Sequence, residues 1–165
     1  MKIRKAKRED IQSIVETRLT STTDEEISGF TTPEWGTFLD VEKLSSEWTT
    51  GNRLKDDYEV IVSERDEKIV GYLVFKREQE HLYIDAVHVR KSEQRRGVGK
   101  ALLEYLESLA IECGLARIET ETVESAQGMP WLSYDFWIRM GFRDTGERLE
   151  TEWHFKLIPL VKLLS

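Results

Sequence analysis

Apolar and polar positions alternate in several stretches of the chain and recur at helical spacing in others. KIRKA, residues 2–6, reads as a short strand. From Arg8 to Leu19, Ile11, Ile14, Val15 and Leu19 recur on one face, as an amphipathic helix requires. Residues 20–51 have weak periodicity and scatter Phe30, Trp35, Phe38 and Trp48 among Thr, Ser, Gly and Pro33. This region reads as one or two short helices within a variable loop. YEVIVSE, a turn at Arg65–Lys68, and IVGYLVFKR then predict a hairpin. A second turn near Glu78–Glu80 leads into HLYIDAVHV, which completes an antiparallel meander. Val98, Leu102, Leu106, Leu109, Ala110 and Cys113 form the stripe of a helix over Val98–Cys113, with Gly114 as its stop. ARIETET reads as a strand, Leu132–Met140 as a helix ended by Gly141, and FRDTGE and TEWHFKL as the strands that complete the sheet. The expected fold class is α+β: a mixed, mostly antiparallel sheet of six to seven strands flanked by helices.

A length of 165 residues suits one domain with one core, taken as residues 1–165. The net charge of −7, with 33% charged residues, fits a soluble protein and argues against a general nucleic-acid binder. It also allows a cationic substrate. A single cysteine, Cys113, excludes an internal disulfide framework and any multi-cysteine zinc site, and on its apolar stripe it reads as a core residue. His81, His88 and His154 lack metal-ligand spacing, so no metal is expected. No run of about 18 apolar residues suggests a membrane span, and the basic N-terminus has no apolar segment behind it. The cytoplasm is the expected compartment, with no membrane and no nucleic-acid partner.

The chemistry concentrates in EQRRGVGKALLEYLE, residues 93–107. A Walker A loop would need glycine at Gln94 and a hydroxyl at Ala101, and a dinucleotide fingerprint would need glycine at Leu102 and a βαβ setting. Both are excluded. A plain strand-to-helix turn remains possible on the glycines alone. Yet first-turn N–H groups lack helical partners, the helix dipole adds positive charge, and Arg95, Arg96 and Lys100 add more. Such a mouth is suited to a pyrophosphate.

Gln94, Gly97 and Gly99 match the [RQ]-x-x-G-x-[GA] motif of the GNAT acyltransferases. YIDAVHVRKSEQRRGVGKALLEYLE resembles that family's whole strand, pyrophosphate loop and helix. IRKAKREDIQSIV is similar to its first strand and helix, and FWIRMGF to its late helix. The resemblance implies a splayed, V-shaped central cleft that takes acetyl-CoA as cosubstrate and no metal. It implies that the backbone of Val87, His88 and Val89 pairs with the pantetheine arm. It further implies that Gln94, Arg95, Arg96, Gly97, Val98, Gly99 and Lys100 form the pyrophosphate loop. The implied reaction is direct attack of an amine on the thioester, giving an acetyl-CoA-dependent N-acetyltransferase. The acceptor would be a small-molecule amine or a peptide or protein amine, and a homodimer stays open.

Asp85 is the implied base. On strand parity it shares a face with Tyr83, Val87 and Val89, while His88 points the other way. A carboxylate bonded to a neighbouring element is the plainer alternative, and Glu119 and Glu121 could also serve. The family's acid, a tyrosine, would fall at Trp137, so Tyr134 one turn earlier is the candidate acid, set against ordinary packing. The Trp leaves a second function open, a non-catalytic module that binds or senses acyl-CoA.

Overall fold

The computed structural model describes residues 1–21, 37–131, 133–153 and 155–164. Phe30, Pro33, Trp35, Leu132 and His154 lie outside these. The elements are β1 (Lys2–Lys5), α1 (Ile11–Ser21), α2 (Val41–Glu47), β2 (Tyr58–Arg65), β3 (Lys68–Arg77) and β4 (Leu82–Val89). They continue with α3 (Val98–Glu112), β5 (Arg117–Glu124), α4 (Ser133–Arg139), β6 (Arg143–Asp144), β7 (Leu149–Glu150) and β8 (Lys156–Leu163).

The strands form one mixed sheet of order β1-β2-β3-β4-β5-β8-β6, and β7 also pairs with β8. Among the described strands only β4 and β5 run parallel. Among the described residues the sheet has eight strands, one beyond the expected count of about six to seven, because the two-residue β6 and β7 both dock on β8. The last long strand is KLIPLVKL and not TEWHFKL. Its buried Ile158 and Leu160 alternate with Leu157, Pro159 and Val161, which are only partly buried. The Pro159 carbonyl accepts from Thr145 N–H at 3.2 Å, so the proline still serves the ladder as an acceptor.

Local chemistry explains the well-formed connections. Arg65 pairs with Lys68 across Asp66 and Glu67, which both have positive φ (50° and 64°), the two-residue turn that matches strand twist. Helix α3 ends as anticipated at Gly114 (φ 73°): Leu115 N–H reaches Ala110 O at 2.9 Å and Gly114 N–H reaches Ile111 O at 3.0 Å. Ahead of α1, Asp10 accepts from Lys7 N–H at 2.8 Å while Arg4 grips its carboxylate at 2.8 and 3.0 Å.

The sheet separates two apolar layers. On one side α3 and α4 cover Leu73, Phe75, Leu82 and Ile84, with Leu102, Leu106 and Trp137 pressed into them. On the other side α1 and α2 cover Val60, Val62, Tyr72 and Val74 with Ile14, Val15 and Leu44. Each such side chain contributes roughly 1.5–3 kcal/mol by burial. Two expectations fail here. Leu19 is exposed, and Arg18 with Ser21 takes the inward positions at the end of α1. Cys113 is exposed too, because the stripe of α3 turns away from the sheet at its last turn. Its thiol lies 3.5 Å from Arg77 Nη1.

Candidate active site

β4 and β5 stay paired only over Leu82–Ile118, Tyr83–Glu119 and Ile84–Thr120. Beyond Ile84, β4 remains on β3 while β5 continues on β8. The sheet therefore splits at Asp85. That residue is also a bulge: Phe75 pairs with Ile84 and Val74 with Ala86, which leaves Asp85 opposite no partner.

The bulge overturns the parity argument. Ile84 faces the α3 layer, but so do Val87 and Val89, one register step out of phase. Ala86 and His88 face the α1 layer instead. Tyr83, Asp85 and His88 all border one cleft, despite the expectation that His88 would point away from Asp85. Strand periodicity holds only where no residue is inserted, and the insertion is set by the register with β3.

The cleft has a volume of about 490 Å³ and opens at the split. It is lined by Asp85, Tyr58 and Tyr83, by Glu121 and Thr122 of β5, and by Trp131 with Ser133 and Trp137 of α4. Asp85 is exposed on the cleft, yet the surrounding protein still withdraws enough solvent to raise its pKa above the usual 3.8. Glu121 is raised from its usual value, first by burial and then by the charges of Asp85 and Glu119, although the nearby Tyr83 phenol works against the rise. Neither Asp85 nor Glu121 has an ion-pair partner among the described residues. Glu119 does: it meets Arg117 at 2.6 Å and His81 at 3.2 Å, and so belongs to the surface.

Toward α1, Tyr72 stacks on Phe38 at 5.2 Å and tilts against His88 at 5.5 Å. His88 Nδ1 is 3.1 Å from Ser21 Oγ. Burial, helped by Arg18, pushes the imidazole down to about 3, so it is neutral at any ordinary pH. Of the aromatics between residues 30 and 48, Trp48 is core and Phe38 borders the cleft.

At the other end of β4 the loop turns through Arg95 (φ 62°) and Gly97 (φ 82°, the N-cap of α3). The first N–H of α3 to reach back to the loop backbone is that of Ala101, bonded to Gly97 O at 3.0 Å. The N–H groups before it are left for an outside acceptor, a concave anion site of the kind glycine loops form. Arg95 and Lys100 are exposed beside it, Val98 is buried beneath it, and Arg96 leans on Glu93 at 3.2 Å. Gln94 spends its amide inside the protein: Nε2 donates to Ser21 O at 2.7 Å and Val89 O at 3.0 Å. It ties α1 to the loop and does not present its amide to a ligand. Gly99 has a role the motif alone did not reveal: a Cβ there would stand 3.2 Å from Phe136 Cζ.

Tyr134 does not join the cleft. Its hydroxyl donates to Asp144 Oδ2 at 3.0 Å, and Arg148 holds the same carboxylate at 2.9 Å. Burial and Asp144 both raise its pKa, the wrong direction for an acid. Trp137 is buried edge-to-face on Phe142 at 5.0 Å and borders the cleft with its remaining surface. Among the described residues no group of His, Cys, Asp and Glu could hold a metal. No described helix is long and apolar enough to cross a membrane.

Three solved structures illustrate what this fold is similar to. PaiA N-acetyltransferase from Thermoplasma acidophilum, solved with coenzyme A, is 16% identical with a TM-score of 0.71, over 99% of this chain and 98% of that one. The ribosomal-protein-S18-alanine N-acetyltransferase from Escherichia coli is 15% identical, TM-score 0.67, over 99% and 94%. Ard1 from Thermoplasma volcanium is 20% identical, TM-score 0.69, over 99% and 97%. At these identities the likeness is one of fold. No curated protein matches the chain significantly. The model of the Acetyltransferase (GNAT) family matches residues 21–142, from the end of α1 through the glycine loop and the split to Phe142, and the chain belongs to that family.

Proposed function

We propose that the protein transfers an acetyl group from acetyl-CoA to a primary amine by direct attack, with Asp85 as the base. The observation that carries this is Asp85 itself: a carboxylate with no ion-pair partner among the described residues, raised in pKa, set at the point where the sheet splits and open to the cleft. The residues present fit the cosubstrate. Gly97 to Lys100 offer backbone N–H groups to a pyrophosphate, with Arg95 and Lys100 as exposed cations. From Ala86 on, the edge of β4 turned away from β3 carries no strand among the described residues, so the backbone of Val87, His88 and Val89 is available to an extended amide-bearing arm. Acetyl-CoA, when bound, supplies the thioester carbonyl.

Asp85 takes the proton from the acceptor's ammonium, directly or through one water, and so exposes the lone pair that attacks. Ionised Asp85 and Glu121 together hold the ammonium at the split before that step. Tyr58 and Tyr83 are the phenols that border this end of the cleft, and burial raises both pKa values. Tyr134 is not assigned as acid, since Asp144 holds its hydroxyl.

Release of CoA thiol from acetyl-CoA against a panel of amines tests the reading. Asp85→Asn should lower kcat by about 10²–10⁴, the usual worth of a general base, with CoA affinity unchanged. The acid limb of the parent's kcat profile should lie above the ordinary carboxylate range. Turnover by Asp85→Asn equal to the parent's across pH would remove Asp85 from the mechanism. Trp137 in place of a phenol favours a second reading, a module that binds acyl-CoA without turnover. Tight CoA binding with no thiol release for any amine would select it.

A further inference from the structure

The cleft has two chemically distinct ends. The acidic end gathers around Tyr58 and Tyr83: Asp85, Asp56 and Glu121 all act on the Tyr58 phenol, and Glu121 and Asp85 on that of Tyr83. At the α1 end the charge that acts on His88 is the cation of Arg18, and Tyr72 feels both that cation and, more weakly, the carboxylate of Asp85. Arg18 is 6% exposed and borders the cleft from the last turn of α1.

Tyr72 stands between the two ends. Its residue is 0% exposed, it borders the cleft, and its hydroxyl has no hydrogen-bond partner among the described residues. Two other buried side-chain atoms share that condition, in Ser63 and Arg65, and neither residue borders the cleft. A buried hydroxyl is normally bonded, so an orphan at the wall of a binding cleft calls for a partner from outside the chain. The ring cannot turn away to find one, because Phe38 and His88 flank it. Tyr72 pairs with His88, and Asp85 lies three residues back along β4 from His88.

We propose that Tyr72 and Arg18 form an oxyanion-recognising subsite, and that the acceptor is an amine carrying a carboxylate a few bonds away, of the amino-acid or short-peptide kind. The Tyr72 hydroxyl donates to the carboxylate, Arg18 supplies the opposite charge, and neutral His88 with Ser21 adds no competing charge. The acceptor's ammonium then lies toward Asp85 and Glu121. A simple diamine leaves the Tyr72 hydroxyl orphaned and meets the charge of Arg18. The subsite deepens the amine-transfer reading and rests on it.

The experiment uses matched pairs: free α-amino acids and dipeptides, each against its own C-terminal amide, with CoA-thiol release as the readout. The parent should favour the acid over the amide by at least about tenfold in kcat/KM, mostly through KM. Tyr72→Phe keeps the stacked ring and removes only the hydroxyl. It should compress that ratio severalfold, while its melting temperature stays level or rises because a buried orphan is gone. Amides used as well as acids by the parent, or an acid preference untouched in Tyr72→Phe, overturns the subsite. Should neither acid nor amide turn over, the transfer reading fails separately. Calorimetric titration of the same pairs onto CoA-saturated protein then decides the subsite: acids bound tighter than amides sustain it, and equal or absent binding ends it.

Discussion

A carboxylate whose pKa is raised by its surroundings costs the folded state once it ionises. Asp85 is in that position, held above 3.8 in the fold and at its ordinary value when unfolded. The unfolded chain therefore loses this proton first as pH rises, and stability falls as pH climbs from the ordinary value through the raised one. Asp85→Asn removes the cost. At pH 7 the variant should melt higher than the parent even as it loses turnover. The gap should narrow as pH falls through the raised value and close below the ordinary carboxylate range. Thermal melts of both proteins from pH 8 to pH 3 read the difference, in which the groups that do not feel Asp85 cancel, while Glu121, which the Asp85 charge helps to raise, adds in the same direction. A variant less stable at pH 7, or a gap that ignores pH, would mean that Asp85 is bonded within the fold after all. The sequence could nominate Asp85 as an acidic residue in an apolar strand. It could not show the bulge, because two strands of uneven register, and no local pattern, create it. Tyr134 failed as a candidate for a related reason: Asp144, ten residues on, captures its hydroxyl once β6 docks on β8.

Helices α3 and α4 meet at Gly99 and Phe136, and this contact shapes the mouth of the loop. The two glycines of the motif do different work. Gly97 adopts a left-handed φ that costs a residue with a Cβ about 1–2 kcal/mol. Gly99 has an ordinary backbone but leaves the space into which the Phe136 ring packs. Gly99→Val should therefore lower stability by about 1–3 kcal/mol through overpacking and weaken CoA binding as α4 is pushed back. Adding Phe136→Leu should recover the stability. If CoA affinity recovers with it, the defect was one of packing; if affinity stays low, the phosphates themselves need the bare glycine. A Gly99→Val protein as stable as the parent would contradict the contact. The loop, the meander and α3 were legible because their signals are local: glycines at fixed offsets, a two-residue turn, a periodic stripe closed by Gly114. The last strand was misplaced because Pro159 interrupts an otherwise good pattern, and only its pairing with β5 and β6 reveals that it belongs.

Across the whole molecule, two apolar layers hold a sheet that is continuous on either side of one gap. The three parallel pairs between β4 and β5 pin the strands at one end, and the separate partners β3 and β8 draw them apart at the other. Everything assigned to function stands on that gap: the loop at its α3 end, the open edge of β4 along it, Asp85 at its apex and the two-ended cleft beyond. The central claim is that acetyl-CoA lies in the gap with its reactive end beside Asp85. A crystal structure of the protein with acetyl-CoA tests this most directly. The account predicts the pyrophosphate on the N–H groups of Gly97–Lys100, the pantetheine arm along Val87–Val89, and the acetyl group at the cleft floor within reach of Asp85. Density for the cosubstrate anywhere else, or an acetyl group on the far side of β4 from Asp85, would contradict it.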